Sequence, residues 1–284
     1  MFEDSMFGRS RCRIVFPCIL YKNRYVTRSS TLPLAWEIYG RMGLKEKSDQ
    51  IKKGGPWSYD YFDIPSLGSI LDFAKSAATA TVKSVKVAWN AVEKAKKADV
   101  ALLLKLRSTA IFDLMVEKGK VKYYLTCSSS EKQDGETLYK DFNINQVPYP
   151  GCEFFTEFKR RGHHAEKLYF DWENPVVDST VLLTSQLRDI QRDWTYQIWP
   201  LSHLTKVYLM AMLKHLLISA DGLLVHCISG WDRTPLFISL LRISLWADGE
   251  IHQSLTPLQM LYFTVAYDWM LFGHNLKDRR YKGE

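Results

Sequence analysis

Leu223-Leu224-Val225-His226-Cys227-Ile228-Ser229-Gly230-Trp231-Asp232-Arg233-Thr234-Pro235 is the stretch whose reading decides the fold. An apolar run of the kind that forms a buried strand ends on a cysteine, five residues follow, then an arginine, and an apolar helical pattern begins at once. A thiolate attacks phosphorus only where its charge is stabilised, and a loop that opens a helix supplies inward N–H groups and the positive end of the helix dipole. The same donors then hold a phosphate. Arg233 can grip two non-bridging oxygens at once and so align the phosphorus with the Cys227 sulfur, while Gly230 gives the turn its conformational freedom. This order is that of a cysteine-dependent phosphatase.

Cysteine-to-arginine spacing alone is a weak signal in a chain with five cysteines. Cys18 and Arg24 share the spacing, but Ile19-Leu20-Tyr21-Lys22-Asn23 has no glycine and prolongs a strand-like run, so that pair reads as structural. The stretch 223–235 differs in having strand, glycine-containing loop and helix start in the order the chemistry requires. A merely buried structural cysteine would account for none of that order.

The 284 residues, 46% of them hydrophobic, suffice for one large domain with its own core. A net charge of +7 suits an anionic substrate, an anionic membrane surface or nucleic acid, but no zinc-ligand spacing, RNA motif or basic coiled-coil region supports the last. Cys12, Cys18, Cys127, Cys152 and Cys227 are odd in number and scattered, which argues against a disulfide scaffold and for a reducing compartment. No run approaches the ~18 apolar residues of a membrane span and no signal-peptide core opens the chain. The expectation is a soluble, cytoplasmic protein that reaches lipid peripherally. The adjacent His163 and His164 lack metal-ligand spacing, and neither metal nor cofactor is expected.

Cys227-Ile228-Ser229-Gly230-Trp231-Asp232-Arg233-Thr234 resembles the signature of the myotubularins, in which Gly-Trp-Asp-Arg-Thr follows the cysteine. The segments 147–155, 236–242 and 262–269 resemble one branch of that family, and the similarity covers most of 12–65 and 99–280. The resemblance implies a cysteine-phosphatase fold like that of the protein tyrosine phosphatases: a central mixed sheet flanked by helices, with the active loop between a strand and a helix. It implies removal of the 3-phosphate from phosphatidylinositol 3-phosphate or the 3,5-bisphosphate. Carried over residue by residue, it makes Cys227, Asp232 and Arg233 catalytic and gives Ile228, Ser229, Gly230, Trp231 and Thr234 to phosphate binding. Ser229 departs from the pattern, standing where most active myotubularins carry an aspartate. Myotubularins usually place a lipid-binding domain before the phosphatase, and none is expected in the residues ahead of the phosphatase here.

Residues 1–11 are polar and basic and are expected to form a disordered tail ahead of a single domain over 12–284. Residues 13–16 and 18–21 read as a strand interrupted or ended by Pro17, and 41–58 as a loop. Residues 66–98 are rich in alanine, valine and lysine, with an apolar stripe from Leu67 to Val92 and lysines opposite. They read as an amphipathic helical insert, packed on the core or lying in a membrane surface. A second helical pattern, Leu103-Leu104-Arg107-Ile111, starts at Val100, and 112–117 fits helix or strand equally. Residues 121–126 and 144–148 read as strands flanking the one that ends at Cys227. The basic, aromatic run 155–164 reads as a solvated helix face, and 186–219 as helical with a break at Pro200. Thr256, Pro257 and Gln259 open a helix with a capping box, after which Leu261, Val265, Tyr267, Trp269 and Phe272 are expected in the core. That helix ends so near Glu284 that natural sequence is expected to continue.

An inositol alkoxide leaves poorly and needs protonation, a contribution of about 10²–10⁴ in rate. The resemblance gives that role to Asp232. A purely loop-ordering Asp232 is the alternative, with Asp171 or Asp178 acting from the loop around Trp172. Two other functions fit the motif: a protein tyrosine or dual-specificity phosphatase, and a catalytically silent phosphoinositide-binding scaffold. Intact Cys227, Asp232 and Arg233 weigh against the scaffold.

Overall fold

The computed structural model describes residues 2, 5–33, 82–117, 121–122, 125–126, 131, 136–164, 168–174, 177–190, 195–274 and 276–281. In chain order these form β1 (Phe16–Tyr21), β2 (Arg24–Ser30), α1 (Val82–Lys105), β3 (Ala110–Asp113), β4 (Val121–Lys122), β5 (Leu125–Thr126), β6 (Asn143–Gln146), α2 (Cys152–Arg160), α3 (Leu201–Ile218), β7 (Leu223–Cys227), α4 (Arg233–Ala247), α5 (Pro257–Phe263), a π-helix (Thr264–Met270) and α6 (Leu276–Tyr281).

The main sheet has the order β1-β2-β7-β3-β6, with β1 antiparallel to β2 and the other pairings parallel. β7 sits in the middle with all five residues buried, as expected of an apolar run covered on both faces. Strand alternation splits its side chains. Leu223, Val225 and Cys227 join Tyr208, Met212 and Leu216 of α3 and Phe237, Ile238 and Leu241 of α4, while Leu224 joins Leu102 and Leu103 of α1, Ile111 and Tyr139. Helices therefore cover both faces of a mixed sheet. Register sets Ser30 of β2 beside Cys227 and Asp113 of β3 beside His226, so β2 ends level with the cysteine and β3 one residue before it.

Several expectations need correction. Residues 5–11 are not a disordered tail: Arg9 is buried, its Nε and Nη2 donate to Asp99 at 2.9 and 2.7 Å, and its Nη1 donates to Glu131. A polar segment reads as tail only until its charge finds carboxylates far along the chain. The helical pattern from Val100 continues α1 rather than starting a second helix, and Ile111 belongs to β3. The proposed stripe from Leu67 to Val92 lies outside the described residues or their described side chains, as does the loop at 41–58. Residues 121–122 and 125–126 make two short strands that pair with each other, and among the described residues the neighbours of β7 are β2 and β3, the latter where helix and strand could not be told apart. β1 runs through Pro17 as an edge strand, with a register shift between Pro17 and Ile19. The capping box at Thr256 is present, with the Gln259 N–H donating to Thr256 Oγ1 and the Thr256 N–H to Gln259 Oε1. In the π-helix beyond it the wider turn changes which residues face inward, with Thr264 and Asp268 buried and Val265 exposed; Leu261, still in α5, is exposed as well. The decoy pair is structural, with the Cys18 thiol on the Phe16 carbonyl and Arg24 donating to the Leu216 carbonyl.

Removing one partner of a buried ion pair strands the other in a low dielectric. Arg9→Met is expected to cost about 3–5 kcal/mol in urea unfolding, against about 0.5 kcal/mol or less for an exposed arginine. Loss within the surface range would mean that the N-terminal segment does not contribute to the fold.

Candidate active site

The loop after β7 is shaped by what holds its carbonyls. The Ile228 carbonyl accepts from the Thr31 N–H at 3.2 Å, the Ser229 carbonyl from Arg13 Nη1 at 2.6 Å, and the Gly230 carbonyl from Arg28 Nη2 at 2.6 Å. A trans peptide carries its C=O and N–H on opposite sides. Drawing three successive carbonyls toward β2 and the N-terminal segment therefore turns the N–H groups of Ser229, Gly230 and Trp231 the other way. The Gly230 N–H indeed reaches Cys227 Sγ at 3.3 Å, and the Thr234 hydroxyl reaches it at 3.2 Å from the first turn of α4. Gly230 has φ +70°, and a Cβ there would lie 2.8 Å from the Ser29 carbonyl oxygen, so glycine is required for both conformation and space.

Cys227 is 1% exposed and Arg233 5%. Arg233 meets Glu117 bidentately, Nη1 to Oε2 at 3.0 Å and Nη2 to Oε1 at 2.9 Å, and Nη1 also donates to the Leu114 and Tyr149 carbonyls. Although burial opposes its charge, Glu117 and then Cys227 more than compensate, and the Arg233 pKa rises above the ordinary guanidinium value. Of its five N–H groups, the Nε–H and one on Nη2 have no partner among the described residues. The carboxylate thus orients the fork and leaves one edge of it for two ligand oxygens.

Asp232 starts α4, and its Oδ1 lies 3.0 Å from His274 Nε2. Trp231 stacks beneath the Arg13 guanidinium, 4.0 Å from the ring centroid, and the Ser229 hydroxyl accepts the Trp231 N–H. Ile228 is buried. All eight residues singled out in the sequence, Cys227, Ile228, Ser229, Gly230, Trp231, Asp232, Arg233 and Thr234, therefore lie in or directly beneath one loop. The loop aspartates divide. Asp171 accepts the Glu173 N–H in an exposed turn, whereas the Asp178 N–H donates to the Val116 carbonyl at 2.6 Å and Val177 bridges Glu117, bringing Asp178 next to the Arg233 pair. Glu117, Arg13, Arg28 and His274 were missed. Among the described residues, no group of three or more His, Cys, Asp or Glu could hold a metal ion, and no helix is long and apolar enough to cross a membrane.

Behind the cysteine, His226 forms an ion pair with Glu131 at 2.9 Å, off the angle of a hydrogen bond, with Asp113 at 3.8 Å. Burial disfavours both charges, but His226 and Arg9 hold the Glu131 carboxyl well below its usual range, and Glu131 followed by Asp113 raises His226.

Gly230→Ala is expected to abolish iodoacetate protection by phosphate while leaving the helical circular dichroism intact; retained protection would mean the loop accepts a Cβ. The pH dependence also follows. A raised histidine stabilises the fold fully below its unfolded value of 6.5, and that stability is lost as pH rises through the folded value. The depressed Glu131 contributes above 4.5 and is lost only as pH falls toward its folded value. Urea unfolding should show stability declining above 6.5 in the parent and a flatter profile in His226→Gln. Parallel profiles would contradict the pairing.

No protein-family model matches the chain. Over its full length it is 44% identical to phosphatidylinositol-3,5-bisphosphate 3-phosphatase MTMR14 of Homo sapiens, and equally to MTMR14 of Mus musculus, spanning 42% of each relative. A stretch of 81 residues, 28% of the chain, is 37% identical to phosphatidylinositol-3,5-bisphosphate 3-phosphatase MTMR4 of Mus musculus and spans 6% of it. Identity at this level runs over the whole chain, the Cys227-to-Thr234 stretch included, and supports membership of the myotubularin family.

Proposed function

We propose that this chain is a phosphoinositide 3-phosphatase that hydrolyses phosphatidylinositol 3-phosphate and the 3,5-bisphosphate through a phosphocysteine, within a protein-tyrosine-phosphatase-like fold. The observation that carries the reading is the loop itself: a buried sulfur that accepts an N–H from Gly230 and the Thr234 hydroxyl, beside a guanidinium with two donors to spare. The regiochemistry rests on the names of the full-length relatives.

In the first step the Cys227 thiolate forms a bond to phosphorus as the bond to the inositol oxygen breaks. That oxygen takes a proton from Asp232. The amides of Ser229, Gly230 and Trp231 and the free edge of Arg233 carry the charge of the transferring phosphoryl oxygens, where preorganised donors act most strongly. In the second step water attacks phosphorus, its proton passes to the Asp232 carboxylate, the P–S bond breaks and inorganic phosphate leaves with the thiolate restored. His274 holds the Asp232 carboxyl in both steps. The second reading puts the acid at Asp178, supported by the main-chain bridge that brings its loop to Glu117. Contact with the membrane through residues 67–92 belongs to the same proposal and lies outside the described side chains.

Cys227→Ser should bind phosphoinositide without turning it over. Arg233→Lys should lose turnover by about 10²-fold or more, because a point charge replaces a planar fork and leaves Glu117 half-matched. Full activity in either variant removes that residue from the chemistry. Leaving groups locate the acid: Asp232→Asn should cripple phosphoinositide hydrolysis yet spare an aryl phosphate whose phenolate departs unprotonated. If Asp178→Asn alone shows that selectivity, the acid is on the loop. A tyrosine phosphatase would instead favour phosphotyrosine peptides over a panel of phosphoinositides.

A further inference from the structure

We propose that Arg28 is a positioning residue of the phosphate cradle, holding the Gly230 carbonyl outward and supplying the buried positive charge against which the Cys227 thiolate forms. The inference rests on the reading of residues 227–234 as a cysteine-phosphatase loop. Arg28 lies on β2, 3% exposed, in register with Val225 of β7. Its Nη2 donates to the Gly230 carbonyl at 2.6 Å, its Nη1 to the Asp268 backbone carbonyl, and its guanidinium sits 4.0 Å from the Phe272 ring centroid. The Asp268 carbonyl lies in the last turn of the π-helix, where carbonyls lack a helical partner.

The charges do not balance without the cysteine. The Asp268 side chain is committed to Arg242, at 2.9 Å from Nε and 2.7 Å from Nη2, and Arg28 hydrogen-bonds carbonyl oxygens but no carboxylate among the described residues. Among the described residues, two buried guanidinium groups therefore share one carboxylate. The other titratable groups facing them are neutral near pH 7. Burial pushes the Cys18 thiol up to about 12, burial raises the Tyr267 phenol, and burial together with Arg242 lowers His252. Burial also pulls the Arg28 pKa down, while Cys18, Asp268 and Cys227 raise it. Of the remaining groups around Cys227, Arg233 is matched by Glu117, Asp232 pairs with His274 and His226 pairs with Glu131. Among the described residues the Cys227 thiolate is the acid left to complement Arg28, and a bound phosphate extends the same match. An unpaired buried cation is costly, so the fold retains Arg28 at a price in stability that only a nearby anion offsets.

The test reads the thiol and not turnover, so it stands whether or not the chain hydrolyses phosphoinositides. Iodoacetate labelling of Cys227, located by peptide mass, is followed against pH in the parent, Arg28→Met, Arg28→Gln and Arg28→Lys, with thermal unfolding recorded for each. The neutral variants should move the pH of half-maximal labelling up by about one unit, a tenfold change in the thiolate equilibrium, and lysine should restore most of the shift. Arg28→Gln keeps an amide donor for the Gly230 carbonyl and decides the matter if Arg28→Met does not fold. A lowered unfolding temperature with an unchanged labelling profile would make Arg28 a structural residue only and overturn the proposal. Equal shifts in the lysine and neutral variants would overturn the electrostatic part and leave the clamp.

Discussion

Three outward-held carbonyls, those of Ile228, Ser229 and Gly230, are the constraint on which the candidate site depends. A five-residue loop cannot turn its amides inward unless something accepts the cost of its carbonyls, and here the donors are one backbone N–H and two guanidinium groups. The sheet makes this arrangement available. Because β2 runs parallel to β7 with Ser30 beside Cys227, the chain leaving β2 at Thr31 passes alongside the loop at the height of its first carbonyl.

The second theme is buried charge. Arg9, Arg28, Arg233 and Arg242 are all at most 5% exposed, and three of them meet a carboxylate bidentately or through two acids. Planar guanidinium groups suit such sites because each can satisfy several acceptors at fixed geometry. The pairs sit on both sides of the sheet: Arg9 and Glu131 on the α1 side beneath His226, Glu117 and Arg233 beside the loop. The two networks share no residue among those described but reach β7 at adjacent positions, His226 and Cys227.

What was legible in the sequence was local. Strand, loop and helix between Leu223 and Ala247 are contiguous, and the capping box at Thr256 is complete within four residues, so residue order alone gives both. The partners were not local. Glu117 meets Arg233 from 116 residues away, Arg28 meets Gly230 from 202, and Arg13 meets Ser229 from 216, separations at which spacing carries no signal. β3 was ambiguous because four buried residues in a row fit strand and helix equally, and only its pairing with β7 decides. The π-helix was unreadable for a related reason: its one-residue widening leaves composition unchanged while turning Val265 out of the core.

The account stands or falls on a covalent bond between phosphorus and the Cys227 sulfur. Rapid acid quench of the protein turning over a 3-phosphorylated inositol lipid, followed by peptide mass analysis, measures this directly. The account predicts a transient peptide spanning Cys227 that is heavier by one phosphoryl group and absent in Cys227→Ser. Sustained turnover with no such adduct, or an adduct on another residue, would contradict it.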